Sequence, residues 1–140
     1  MERSSERRWL HIILILGIIY CLDGIVFGML AGWSTSLKIR TIWRLAAWLT
    51  SAALFAAHIW YERFRLNNSP RKSALHVATA AALGAFGLAV AANINALFIS
   101  TTNQMLLALS LVLWPVLTAV PAFVVAFGII SILWYYRKRV

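Results

Sequence analysis

WLHIILILGIIYCLDGIVFGMLAGW, residues 9–33, is the stretch on which the fold turns. It carries one formal charge, Asp23, and a tryptophan at each end. A hydrocarbon core about 30 Å thick is crossed by about 20 helical residues at about 1.5 Å each, so this run reads as one membrane-spanning helix. The basic leader Arg3, Arg7 and Arg8 precedes it as in a secretory signal. A signal's apolar stretch is only about 7–15 residues and ends at a small-x-small site, so a retained helix is expected here.

Three further apolar runs follow, at about residues 41–61, 75–99 and 105–136. The fourth is longer than a hydrocarbon core requires and must tilt, bend or project, with Pro115 and Pro121 as places to bend. The connections at 34–40, 62–73 and 100–104 are short, which forces neighbouring helices to run antiparallel. The expected fold is therefore all-α: a polytopic membrane protein, one antiparallel four-transmembrane-helix bundle over residues 1–140.

Composition agrees with that reading. Hydrophobic residues are 62% of the chain and charged residues 12%, against about 25% charged in soluble domains. The net charge of +9 raises nucleic acid as a partner, but the basic residues stand in short clusters between apolar runs. Such clusters grip an anionic bilayer surface, and no basic helix face is left for nucleic acid. An even number of crossings puts the leader, the middle loop (Arg63, Arg65, Arg71, Lys72) and the tail (Arg137, Lys138, Arg139) on one side. Ten basic residues there face Lys38, Arg40 and Arg44 on the other. By the positive-inside rule both termini are cytoplasmic (N-in/C-in), in a membrane expected to be a bacterial inner membrane. Trp9, Trp33, Trp43, Trp60, Tyr61, Trp134, Tyr135 and Tyr136 fall at run ends, where amphipathic rings favour the headgroup level.

In lipid, helices associate through close packing and hydrogen bonds. Helix one has a small-residue stripe with Gly24, Gly28 and Gly32, and helix three has one with Ala82, Ala85 and Ala89. These faces suit packing within the monomer, or against a second copy or another membrane protein.

Polar groups at membrane depth mark the candidate site. A carboxylate at the bilayer centre costs about 2.5–3.5 kcal/mol on the insertion scale, so Asp23 needs a partner, water or a proton. Arg44 lies just inside the outer end of helix two and Asn93 near the outer end of helix three. With Asp23 they are expected to form an Asp/Arg/Asn cluster within reach of Tyr20. On a helical wheel Arg44, Trp48, Ser51, Phe55, His58 and Glu62 fall within about 80°, so this face of helix two is expected to look into the bundle. Thr50 lies off that face, where a threonine can bond its own backbone. Asp23, Arg44, Asn93, Tyr20 and Ser51 are thus the substrate or proton-coupling candidates, against the reading of a pair that only fixes helix register.

His11, His58 and His76 all map to cytoplasmic helix ends and are the candidates for a metal or haem site. Without His-x3-His spacing, no cofactor is the simpler expectation. Glu62 is expected to pair locally with His58 or Arg65. On helix four Ser110, Trp114, Pro121 and Gly128 share a face, and Pro121 leaves the Leu117 carbonyl without its usual amide partner. The lone cysteine, Cys21, reads as a packing residue. No zinc-type cysteine spacing, glycine-rich phosphate loop or nucleophile–base constellation favours an enzyme.

In size, helix count and a carboxylate in the first helix, the chain resembles the small multidrug-resistance transporters. That resemblance implies a homodimer exchanging protons for cationic substrates. It is architectural and assigns no residue: the carboxylate here is an aspartate where that family has glutamate, and the middle loop is longer. Small fluoride channels share the four-helix dimer plan, but their motifs are not found here. Three functions follow as expectations. The first is a transporter or channel-like oligomer built on the Asp/Arg/Asn cluster. The second is a non-transporting interaction or assembly subunit. The third is a haem- or metal-binding membrane protein using the histidines.

Overall fold

In a computed structural model the chain forms four helices: α1 (Glu2–Trp33), α2 (Leu37–Phe64), α3 (Pro70–Ala96) and α4 (Gln104–Arg137). The structure describes residues 2–66, 68–98 and 104–137, with side chains described between Trp9 and Tyr136. All four helices are long and apolar enough to cross a membrane. The expected turn at 100–104 lies almost wholly outside the described residues.

Five boundaries differ from the expected ones by three residues or more; α1 begins at Glu2 rather than near residue 9, and α2 ends at Phe64 rather than near residue 61. α2 starts at Leu37 rather than near residue 41, behind Ser36, whose extended backbone (φ −87°, ψ 130°) occupies the N-cap position. Lys38 and Arg40 are compatible with a helix whose long side chains reach toward headgroups. α3 starts at Pro70 rather than near residue 75, with Ser69 extended before it. A proline in the first turn lacks only an amide that would be unpaired anyway and pre-sets the helical φ. α3 also ends at Ala96, three residues short of the expected limit. α4 runs unbroken through Pro115 and Pro121.

Residue pairings give the helix directions. Gly17 lies against Ala80 and Leu83, and Gly24 against Leu88, so α1 and α3 run in the same sense. Asp23 meets Thr50 and Ser51, while Phe27 meets Trp43 with ring centroids 6.1 Å apart, so α2 runs opposite to α1. Asn93 bonds to Leu107 and Ser110, whereas Ala74 and Val77 share a core with Ala126 and Ile130, so α4 opposes α3. α3 packs along both α1 and α4 and is the central helix.

The α1–α3 contact is set by glycines on both helices. A Cβ on Gly84 would stand 2.5 Å from the Tyr20 Cβ, and one on Gly87 2.6 Å from the Cys21 sulfur. A Cβ on Gly24 would stand 2.6 Å from Leu88, but beside Gly28 and Gly32 there is nothing within 4 Å. The small-residue stripe of α1 is therefore used within the chain at Gly17 and Gly24, and lies open at Gly28 and Gly32. Of the alanines expected to pack, Ala85 and Ala89 are buried and Ala82 is half-buried.

The core sits toward the end of the bundle that holds Trp9, Glu62, Ser73 and Trp134, called here the basic end. There Ile59, Ala74, Val77, Ala126 and Ile130 pack together, with Phe55 and Phe123 against them. Elsewhere large side chains face outward, among them Leu14, Ile18, Leu49, Val112 and Val120. An exterior so apolar suits acyl chains rather than water.

Candidate functional site

α2 and α4 meet at the basic end and separate beyond it. The gap is a cavity of about 700 Å³, floored by α3 and backed by Tyr20 and Gly24 of α1. Drug-sized ligands occupy sites of about 300–1,000 Å³, mostly apolar with a few fixed polar groups. This one fits that description. Its walls are Trp48, Ala52 and Phe55 of α2 and Trp114, Pro121, Ala122 and Val125 of α4, with Ala81, Ala85, Ala89 and Ala92 among the floor. The hydroxyls of Ser51 and Thr118 belong to residues that line it. The Tyr20 hydroxyl is buried with no hydrogen-bond partner. Pro121 lines the cavity one turn after Leu117, whose carbonyl lacks its amide partner for the reason given above.

Behind Ser51 lies Asp23. Its Oδ2 accepts from the Ser51 hydroxyl at 2.6 Å and its Oδ1 from the Thr50 hydroxyl at 2.7 Å. The Thr50 oxygen also lies 2.9 Å from the Ala46 carbonyl and 3.1 Å from that of Ala47. A hydroxyl has one proton and can accept another bond. Thr50 can therefore donate to a carboxylate, or donate to Ala46 while accepting from a protonated Asp23. The same atom positions serve both protonation states.

The expected Asp23–Arg44 pair is not formed. Arg44 is exposed, and Asp23 is held by hydroxyls. Seven residues of α2 separate Arg44 from Ser51, about 10 Å along the axis, so the guanidinium sits too near the helix end. The Asp/Arg/Asn cluster is likewise not assembled. Asn93 turns to α4, its amide lying 3.0 Å from the Leu107 carbonyl and 3.2 Å from the Ser110 hydroxyl, and 2.8 Å from Ala89 in its own helix. Tyr20 packs its Cβ over Gly84 and makes no bond to Asp23. Ser51 keeps its place in the site, and Thr50 joins it. The signal for both was depth: Ser51 is ten residues into the second apolar run, and Asp23 ten residues from the end of the first.

Helix two's polar face is inward only in its second half. His58 and Glu62 are buried and Ser51 and Phe55 half-buried, while Arg44 and Trp48 are exposed. At the basic end Glu62 Oε1 lies 2.9 Å from His76 Nδ1 and 3.9 Å from His58 Nε2. Glu62 Oε2 accepts from the Asn68 amide at 2.9 Å. The local His58–Glu62 contact is thus the weaker one, and the stronger comes from α3. The Trp9 ring stacks on His76, centroids 4.9 Å apart. The Arg63 guanidinium lies 4.9 Å from the ring centre of Trp134. His11 is exposed on α1, so the three histidines do not share one pocket. Among the described residues no group of three or more His, Cys, Asp or Glu side chains is placed to hold a metal ion.

No protein-family model, curated protein or solved structure matches this chain. The functional reading therefore rests on the geometry above.

Proposed function

We propose that this chain is a small membrane transport protein that takes an apolar or amphipathic molecule into the cavity between α2 and α4. In this reading it lies in a bacterial inner membrane with both termini cytoplasmic, and the cavity faces the outer half of the bilayer. The carrying observation is the cavity itself, of about 700 Å³ and bounded on two sides by helices that part away from the basic end. Trp48 and Trp114 supply flat apolar walls, and Ser51 joins the cavity to the Asp23 carboxylate. A bound cation would be drawn by Asp23 through the reorientable Ser51 and Thr50 hydroxyls. The cavity is closed at the packed basic end, which the proposed orientation turns to the cytoplasm.

The test uses the full chain in proteoliposomes with tetraphenylphosphonium as an apolar cationic probe. Uptake above that of empty liposomes is expected. Ala92→Trp, at an exposed position lining the cavity, should abolish uptake while the helix content stays unchanged. Uptake equal to that of empty liposomes, or uptake indifferent to Ala92→Trp, would overturn the reading.

One observation favours a second occupant. The floor of Ala81, Gly84, Ala85, Ala89 and Ala92 is smooth enough to seat a transmembrane helix of a partner or a second copy. In that case Ala92→Trp would abolish co-purification or self-association and leave no flux to measure.

A further inference from the structure

The basic end holds an arrangement that the transport reading does not use. Glu62 and His58 are each 1% exposed and His76 is 7% exposed. A buried carboxylate is tolerated when a positive partner or a proton compensates it. Glu62 Oε1 lies 2.9 Å from His76 Nδ1, a hydrogen bond in which a ring N–H at Nδ1 donates to the carboxylate. Asn68 satisfies the other carboxylate oxygen.

His58 is left over. A neutral imidazole has one N–H to donate and one lone pair to fill, yet neither ring nitrogen of His58 has a hydrogen-bond partner. Leaving such groups unpaired away from water is unfavourable. Its Nε2 stands 3.9 Å from the Glu62 oxygen that already serves His76, about 1 Å beyond a hydrogen bond. Two imidazoles thus compete for one carboxylate oxygen, and the cluster is one bond short.

Among the described residues of α1, the group against the cluster is Trp9, which is not ionisable. α2 contributes Arg63, whose charge is turned toward the Trp134 ring of α4. On α3, three residues before His76, Ser73 is a buried hydroxyl without a hydrogen-bond partner. Asn68, half-buried in the α2–α3 connection, borders the cluster through its bond to Glu62.

We propose that His58, Glu62 and His76 form a proton-binding site that switches the packing of the basic end. A proton arriving from water lodges on a ring nitrogen of His58, and the His58 Nε2–H then donates to Glu62 Oε1. That oxygen shortens its distance to His58 and lengthens its distance to His76. His76 carries the Trp9 ring on its face, so the exchange changes how α1 and α3 are fastened to α2. No covalent bond beyond the transferred proton is made or broken. The proposal needs no transported substrate and stands or falls apart from the cavity reading.

The chain's three histidines make the test direct. Full-length protein with 15N-labelled histidine in lipid nanodiscs is titrated by NMR from about pH 8 to pH 3, a range that reaches well below ordinary imidazole titration. The His11→Gln variant removes one signal and leaves the two of interest. His58 is expected to gain a proton over the same pH interval in which the His76 nitrogens lose their bonded shift. In Glu62→Gln the two changes should separate. In His58→Leu the His76 step should disappear, with helix content unchanged by circular dichroism. The proposal is overturned if His58 takes up no proton in this range. It is equally overturned if the His76 step survives His58→Leu, a result that stands even should Glu62→Gln fail to fold.

Discussion

Asp23, inside a helix long and apolar enough to cross a membrane, is held by two hydroxyls rather than by a basic side chain. Two hydroxyl bonds at 2.6 and 2.7 Å replace part of its hydration. Hydrogen bonds between membrane helices average about 0.6 kcal/mol, and an ionised acceptor strengthens them. Ser51→Ala is therefore expected to lower stability by about 1–2 kcal/mol. Arg44→Ala should stay within about 0.5 kcal/mol, since this side chain is exposed and has no bond to Asp23. Unfolding titrations in mixed micelles measure both. A large loss for Arg44→Ala with none for Ser51→Ala would contradict the geometry. At this scale the sequence was half legible: residue type announced that Asp23 needs a partner. It did not say which one, because a hydroxyl in a helix has a backbone carbonyl as its alternative, and Thr50 has both within reach.

The helices divide their small residues between two tasks. Gly84 and Gly24 let α1 and α3 approach, whereas Gly28 and Gly32 face open space. Gly84→Leu forces a side chain into the Tyr20 Cβ and should destabilise the chain by about 1–3 kcal/mol. Gly28→Leu should leave the stability of the isolated chain unchanged. Thermal unfolding monitored by circular dichroism checks the contrast, and equal losses for both would mean that α1 is turned differently. A repeated glycine spacing looks the same whether one turn or all of them pack, so the sequence pattern showed the stripe but not its used part. α2 teaches a similar lesson. Its wheel placed Arg44 through Glu62 on one face, and that face does carry Ser51, His58 and Glu62 inward. Because α2 leans away from α4, the same face is open at Trp48 and Arg44.

At the scale of the molecule, four apolar runs and short links were enough to give four helices in the right order. Their lateral arrangement was not legible, since hydropathy says nothing about which helix sits centrally. α3 takes that place through glycines and alanines that a hydropathy profile scores as ordinary. The orientation proposed from basic residues is tested in a Cys21→Ala background with single cysteines at Ser69 and Thr35, both exposed. A membrane-impermeant maleimide should label Thr35→Cys from outside intact cells and Ser69→Cys only after permeabilisation. The reverse pattern would invert the molecule and turn the cavity toward the cytoplasm.

α2 and α4 grip each other at Ile59, Ala126 and Ile130 and through Arg63 on Trp134, while the cavity parts them further along. Two rods clamped at one end behave like the jaws of a peg. Were α2 and α4 to turn about that contact in a bilayer, the width between their far ends would vary with the thickness of the host membrane, and lipid composition would become a variable of the cavity.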